Sequence, residues 1–326
     1  MRIAVTGSIA TDWLMTFPGR ITEQLVEGQL ERVSLSFLVD ELEVRRGGAA
    51  ANIAFGLSQY GQAPMLVGSV GEDFNADYRG WLDDHGVDTS SVRVSETKHT
   101  ARFLCTTDDE QNQIASFYTG AMEEARRIRL RPIVEEASVD LVVISPNDPS
   151  AMIRHTHECR ELGVPFMADP GQQIARMPGS DVRKLVDDAQ ILITNDYEKA
   201  LLERKTGWSD EEVLERVGMR ITTVGPRGSI LESNGGERME VPTVPERRRA
   251  DPTGVGDGFR AGLLTGIAWG LGMERAAQVG SLTATYVLEH VGTQEYGLER
   301  TSWLERFINA YGTEAGAQLE GVLTLR

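Results

Sequence analysis

The chain has 326 residues, 40% hydrophobic and 25% charged, enough to bury a substantial core as one large α/β domain with an excursion, or as two modest domains. Lysine and arginine number 33 against 49 aspartates and glutamates, and a net charge of -16 argues against a general nucleic-acid binder. Two cysteines, Cys105 and Cys159, are too few for a disulfide framework, and no apolar stretch reaches the ~18 residues of a membrane span or follows an export pattern, so a reducing, cytoplasmic setting is expected.

Residues 2–7, RIAVTG, are a short apolar run closed by glycine, as expected of a buried first strand in a parallel sheet. Ligands of open α/β sheets gather beyond the carboxyl ends of the strands, which makes Ser8 and Asp12 candidates for contacts to substrate hydroxyls; a cap or Asx-turn accounts for them equally. Residues 13–46 lack helical periodicity, and residues 33–39 alternate only in part, as an irregular or exposed strand would. Gly47 and Gly48 then open an alanine-rich helix in which Asn52 could hydrogen-bond a sugar hydroxyl, although glycine before such a helix is commonly structural. Residues 65–74 continue as strand, glycine turn and helix, and residues 100–118 hold two β-like runs around the polar DDEQN, which predicts a hairpin.

From residue 140 strands and helices alternate, with DLVVIS, VPFMADP and QILITN as strands and residues 151–162 and 182–187 as helices. That alternation implies a doubly wound parallel sheet with right-handed connections. The adjacent amides of Gln172 and Gln173 end one strand and could read a ligand's polar edges, while Asn195 and Glu198 end the next with the spacing of a capping box. His155, His157 and Cys159 share a helix without further ligands nearby, which argues against zinc. ITTVGPRGSIL, residues 221–231, is two strands about a turn whose Arg227 either meets a phosphate or serves solubility. The dense basic run Arg247-Arg248-Arg249 is either a solvated turn or a contact for polyphosphate. Neither G-x-x-x-x-G-K-[ST] nor a strand-linked G-x-G-x-x-G occurs, so the classical mononucleotide and dinucleotide folds are unsupported.

Residues 249–262, RADPTGVGDGFRAG, place Gly254, Gly256 and Gly258 beside Asp251 and Asp257 and run into residues of helical spacing. The first amides of a helix lack intrahelical partners, and their dipole favours negative charge, so a glycine turn there can cradle a phosphate. Asp257 could accept the proton of an attacking alcohol while the amides of Val255, Gly256 and Asp257 hold the developing charge. A plain helix cap explains the same residues.

DPTGVGDGF resembles the C-terminal signature of the ribokinase-like (PfkB) carbohydrate kinases, usually D-T-x-G-A-G-D-x-F, with Pro252 and Val255 as departures that spare the chemistry-bearing positions. G-G-x-x-x-N-x-A at residues 47–54 is similar to the same family's N-terminal signature, in the correct order. The resemblance implies a ribokinase-like α/β fold: a doubly wound, mainly parallel sheet flanked by helices from residues 1–8, 46–97 and 120–326, with a small β-sheet lid from residues 9–45 and 98–119. It also implies ATP-dependent phosphorylation of a hydroxymethyl group, with Asp257 as base and Gly254, Val255 and Gly256 at the anion hole. Asn195 and Glu198 match an N-x-x-E element that holds magnesium through water. Thr223, Gly225 and Gly228 match a T-x-G-x-x-G loop for the nucleotide, with Arg227 beside it. Asp251 and Thr253 match the first half of a monovalent-cation site, for potassium, whose later contributors fall near residues 290–292.

Among acceptors, residues 8–12, the segment around Ser36 and Phe37, the glutamine pair and the hairpin phenylalanines look like the actinobacterial-type adenosine kinases. Under that reading Asp12, Gly48 and Asn52 hold ribose hydroxyls, Phe103 and Phe117 sandwich or edge the purine, and Gln172 and Gln173 lie near it. Core packing is the other account of both aromatics. The alternatives are a ribokinase-type sugar kinase, for which a phenylalanine-lined lid is ill suited, and a homologue that has lost catalysis and senses a nucleoside or sugar, against which the intact Asp257, Gly254 and Gly256 argue. Because lid strands expose edges, a homodimer through the lid is expected.

Overall fold

The computed structural model describes residues 1–24, 35–110 and 112–325. Its strands in chain order are β1 (Ile3–Thr6), β2 (Ala10–Phe17), β3 (Glu41–Gly47), β4 (Met65–Val67), β5 (Ser69–Gly71), β6 (Arg93–Ser95) and β7 (Ala101–Asp108). There follow β8 (Gln113–Tyr118), β9 (Leu141–Ile144), β10 (Phe166–Ala168), β11 (Ile191–Asn195), β12 (Met219–Thr223), β13 (Ser229–Ser233) and β14 (Arg238–Val241). Eight of them form one sheet in the order β14-β13-β12-β11-β10-β9-β1-β4. It is parallel from β4 across to β12 and antiparallel over its last two strands.

Helices cover both faces, which is why β1, β9 and β11 read as nearly unbroken apolar runs. Successive side chains point to opposite faces. Ile3, Val5, Leu141, Val143, Ile191 and Ile193 therefore join Phe55, Leu263, Val279 and Trp303 on one side. Ala4, Val142, Ile144 and Leu192 join Met152, Leu185 and Leu202 on the other. From β1 the chain passes through the helix Ala49–Gln59 to β4, and later returns to β9 on the opposite flank of β1, so the strand order reverses there. The carboxyl ends beside such a reversal are where open sheets hold ligands.

A separate four-stranded sheet, β3-β2-β7-β8, forms the lid, with β2 and β7 parallel and the outer pairs antiparallel. Residues 13–46 thus hold most of β2 and of β3, which their partial alternation hides because a lid strand has no continuously buried face. Of residues 33–39, the first two lie outside the described residues, and residues 35–39 are not in a strand; Phe37 instead packs edge-on to Phe17 with ring centres 5.0 Å apart. The helix expected after β4 is replaced by β5, which pairs with β6, and a 3-10 turn at Glu72–Ala76. Among the described residues no helix is long and apolar enough to cross a membrane.

Candidate functional site

The helix Val255–Ala268 begins at Gly254, whose φ of 75° favours glycine and where a Cβ would stand 2.7 Å from Thr293 Cγ2. The amides of Gly256 and Asp257 lie in the first turn, where no intrahelical acceptor exists. Asp257 Oδ2 accepts a 2.9 Å hydrogen bond from Asn52 Nδ2. Asn52 is delivered by the helix Ala49–Gln59, which starts at Gly48 with φ of 96°; a Cβ there would meet Ser8 O at 2.6 Å. Ser8 locks this start, its Oγ accepting from the Ala49 amide at 3.0 Å and its carbonyl from the Ala50 amide at 3.1 Å.

The Asn52 amide is oriented from behind. Its Oδ1 accepts from Gln294 Nε2 at 2.9 Å and lies 2.8 Å from Thr293 Oγ1, leaving Nδ2 for the carboxylate. Gln294 Nε2 also reaches Tyr78 Oη at 2.6 Å, and that hydroxyl donates to Gly47 O at 2.8 Å. Burial pushes Asp257 up to about 6, with the charges of Asp169 and Asp12 adding and Arg260 and Asn52 opposing. A carboxyl near 6 is ionised at neutral pH and still basic enough to take a proton.

Arg260, three residues on, is buried against Asp169 beyond β10; its Nη2 donates to Oδ1 at 2.6 Å and Nε lies 2.6 Å from Oδ2. Its Nη1 donates to Gly256 O at 3.0 Å, fixing the loop's glycine. Burial raises Asp169, and the guanidinium pulls it back toward the charged form. At the end of β11, Asn195 Oδ1 accepts from the Glu198 amide at 2.7 Å and Glu198 Oε2 from the Asn195 amide at 2.9 Å, a reciprocal cap. Burial raises the Glu198 carboxyl as well. The pair forms the cap, and both residues also line the cavity.

The lid faces this floor with one row of residues. Arg45, Asp12, Phe103 and Phe117 stand in register across β3, β2, β7 and β8, and partners directly opposite share a face. Burial pushes Asp12 up to about 6, Arg45 opposing and Asp251 adding. Between lid and floor lies a cavity of about 1020 Å³, large enough for two substrates. It brings together Ser8, Asp12, Gly48, Asn52, Phe103, Phe117, Gln172, Gln173, Asn195, Glu198, Thr223, Gly225, Thr253, Gly254, Gly256 and Asp257.

Other expected positions lie outside the cavity or make other contacts. Ser36 is exposed and does not line the cavity. Arg227 is exposed at its turn, and Gly228 is buried with φ of 97° because its backbone runs against Val241 and Pro242. Val255 turns its amide toward Pro252 O at 3.4 Å and its side chain toward the core, while the amides of Gly256 and Asp257 are left for an anion. Gln173 Nε2 is engaged by Asn147 O at 2.8 Å, while Gln172 is exposed. Asp251 accepts from the amides of Thr253 at 2.9 Å and Gly292 at 3.1 Å and lies 3.4 Å from Arg45 Nη1. Burial works against its charge, but these donors outweigh it and hold the carboxyl below its ordinary value.

Sequence reasoning passed over Arg260, Thr293, Gln294 and Arg45. Arg260 carried a signal, a charge on the face of Asp257 within an otherwise apolar helix; the other three sit in stretches without a pattern.

A family model described as pfkB family carbohydrate kinase matches residues 9–300. The structure of Burkholderia thailandensis nucleoside kinase in complex with inosine is 34% identical and covers 95% of this chain and 98% of its own, with a TM-score of 0.81. That of Methanocaldococcus jannaschii nucleoside kinase is 25% identical over 94% of this chain and 98% of its own, with a TM-score of 0.83. A nucleoside kinase of Methanothermobacter thermautotrophicus is 30% identical over 270 residues, 82% of this chain and 86% of its own.

Proposed function

This chain belongs to the pfkB family of carbohydrate kinases, and from that premise we propose that it is a nucleoside kinase that transfers the terminal phosphoryl group of ATP to the 5'-hydroxyl of adenosine, giving AMP and ADP. The observation that carries this reading is the row Asp12, Phe103 and Phe117 lying across one cavity from Asp257: a carboxylate for ribose hydroxyls, two aromatic faces for a purine, and a base beneath. The Burkholderia thailandensis nucleoside kinase structure is a complex with inosine, a purine nucleoside of similar shape.

In this mechanism the ribose lies over Asn52 and Gly48 with its hydroxyls on Asp12. Asp257 accepts the 5'-hydroxyl proton as the oxygen attacks, and the amides of Gly256 and Asp257 bind the transferring phosphoryl oxygens. Asn52, held by Gln294 and Thr293, keeps the carboxylate aimed at the acceptor. Thr223 and Gly225 flank the donor's side of the cavity. Asn195 and Glu198 fit a water-bridged magnesium ion, for their reciprocal cap uses only one Glu198 oxygen and the residues open on the cavity. When bound, magnesium would neutralise the donor's phosphate charge. The outer face of the lid carries Leu42, Val44 and Ile114, 54%, 51% and 42% exposed, which supports a homodimer through that sheet.

The test is a phosphorylation screen with ATP and magnesium against adenosine, inosine, guanosine, ribose and fructose. Adenosine should exceed ribose by about 100-fold or more in kcat/KM, because ribose leaves the rings of Phe103 and Phe117 without a partner. Preference for ribose would make the chain a sugar kinase; nucleoside binding without turnover would make it a sensor.

A further inference from the structure

A resident potassium ion at Asp251 needs carboxylate lone pairs turned toward it and oxygen neighbours around it. Here both oxygens are already engaged by nitrogen donors. Oδ1 accepts from the Thr253 amide, and Oδ2 faces the Gly292 amide and the Arg45 guanidinium. The ion pair is sheltered, with the Arg45 and Asp251 side chains 18% and 16% exposed. Glu43 steadies the guanidinium by accepting from Nε at 2.7 Å and Nη2 at 2.5 Å. The Arg45 stem lies along the 290s loop, its Cδ 3.6 Å from where a Cβ on Gly292 would stand. These residues do not fit a bound monovalent cation, because a permanent positive charge already stands against the carboxylate and would repel a second.

We propose that Arg45 supplies from the lid the positive charge that potassium would otherwise place against Asp251, so that phosphoryl transfer in this chain does not depend on a monovalent cation. The proposal rests on the kinase reading above. Asp251 leads into the loop that ends at Gly254, the turn that sets the free amides of Gly256 and Asp257. An uncompensated carboxylate at that point would repel the donor's phosphates. Arg45, whose charge Glu43 shares, offsets part of this charge and ties β3 to the loop, while Asp12 beside it in register serves the acceptor. Arg45 is thus a positioning residue, acting through Asp251 and touching neither substrate.

The test compares potassium chloride with choline chloride at equal ionic strength, using the full chain. Two quantities are read: the thermal midpoint without substrates and the steady-state phosphorylation of adenosine. Wild type should hold its midpoint within about 1 °C and its kcat within about twofold between the salts, since no cation binds the folded state preferentially. Arg45→Met should lose about tenfold or more in kcat in choline chloride and recover several-fold in potassium chloride, with a midpoint that potassium raises. Arg45→Lys, which keeps a charge without the planar fork, should be intermediate and indifferent to potassium.

Wild-type activation above about tenfold by potassium, or Arg45→Met turning over at the wild-type rate in choline chloride, overturns the proposal. Should Arg45→Met not fold, the salt responses of wild type and Arg45→Lys decide it. If no acceptor is phosphorylated, the kinase reading fails separately. The midpoints then judge Arg45 alone: a potassium-dependent rise in wild type counts against it, and a rise confined to Arg45→Met supports it.

Discussion

Replacing Asn52 with leucine should move the acid limb of the pH profile upward by roughly one pH unit. Burial holds Asp257 at about 6, and the 2.9 Å bond from Asn52 Nδ2 is one of two influences that stop it rising further, Arg260 being the other. A hydrogen bond to a charged group contributes about 1.5–3 kcal/mol, and about 1.36 kcal/mol corresponds to one pH unit; water reaching a half-buried carboxyl reduces the effect toward the lower figure. The sign follows from the role. A general base works only when ionised, so a higher pKa removes activity at pH values where the wild type still functions. For wild type, kcat/KM for adenosine should be half-maximal near pH 6 and fall about tenfold per pH unit well below it; for Asn52→Leu the midpoint should lie near pH 7. The profile is measured from about pH 4.5 to 9 at constant ionic strength, over the range in which both carboxyls titrate. Asp12 also stands at about 6 and raises Asp257, so the wild-type limb belongs to the pair; Asn52 bonds Asp257, which assigns the displacement. Because the proposed pose sets the ribose over Asn52, KM should rise as well, and the position of the limb is the readout rather than its height. Superimposable limbs, or a wild-type limb below about pH 5, would refute Asp257 as the base.

Three further outcomes can be measured directly. Asp257→Asn should cost about 10²–10⁴ in turnover yet raise the thermal midpoint at neutral pH. The folded state holds its proton up to about 6 against an ordinary 3.8, so stability declines as pH rises through that window. Removing the charge should restore at most about 3 kcal/mol at pH 7 and nothing below about pH 4, and equal midpoints for variant and wild type at both pH values would contradict this. Phe103→Ala should weaken adenosine by the about 1–3 kcal/mol typical of a stacked base while leaving ribose nearly unchanged, and equal losses would remove base stacking. Wild type should scatter light as a dimer at micromolar concentration and Leu42→Glu as a monomer; a monomeric wild type would end the lid-dimer proposal.

The parallel core was legible because each of its strands is covered on both faces, which leaves an unbroken apolar run such as Leu141–Ile144 in the sequence. The lid was harder. β3 is exposed along most of its length, so ELEVRRG shows no apolar period although it pairs over seven residues with β2. In the site, Asp257 and Asn52 stood out because each sits beside glycines, and the backbone demands at Gly254 and Gly48 explain those glycines. Gly228 matched the pattern for a different reason, close passage of Val241. Thr293 and Gln294 were invisible: they meet Asn52 across more than 240 positions of chain, and no local pattern records such a contact.

The line from Arg45 through Asp12 and Phe103 to Phe117 crosses four strands joined by backbone hydrogen bonds into one sheet. Under the proposed pose, recognition of the base, grip on the sugar and the electrostatic latch at the far corner would all depend on how that one sheet is seated. A small acceptor that gives the two rings nothing to rest on would leave the latch half-engaged as well. Discrimination against bare sugars would therefore show up in the speed of the chemical step as much as in affinity.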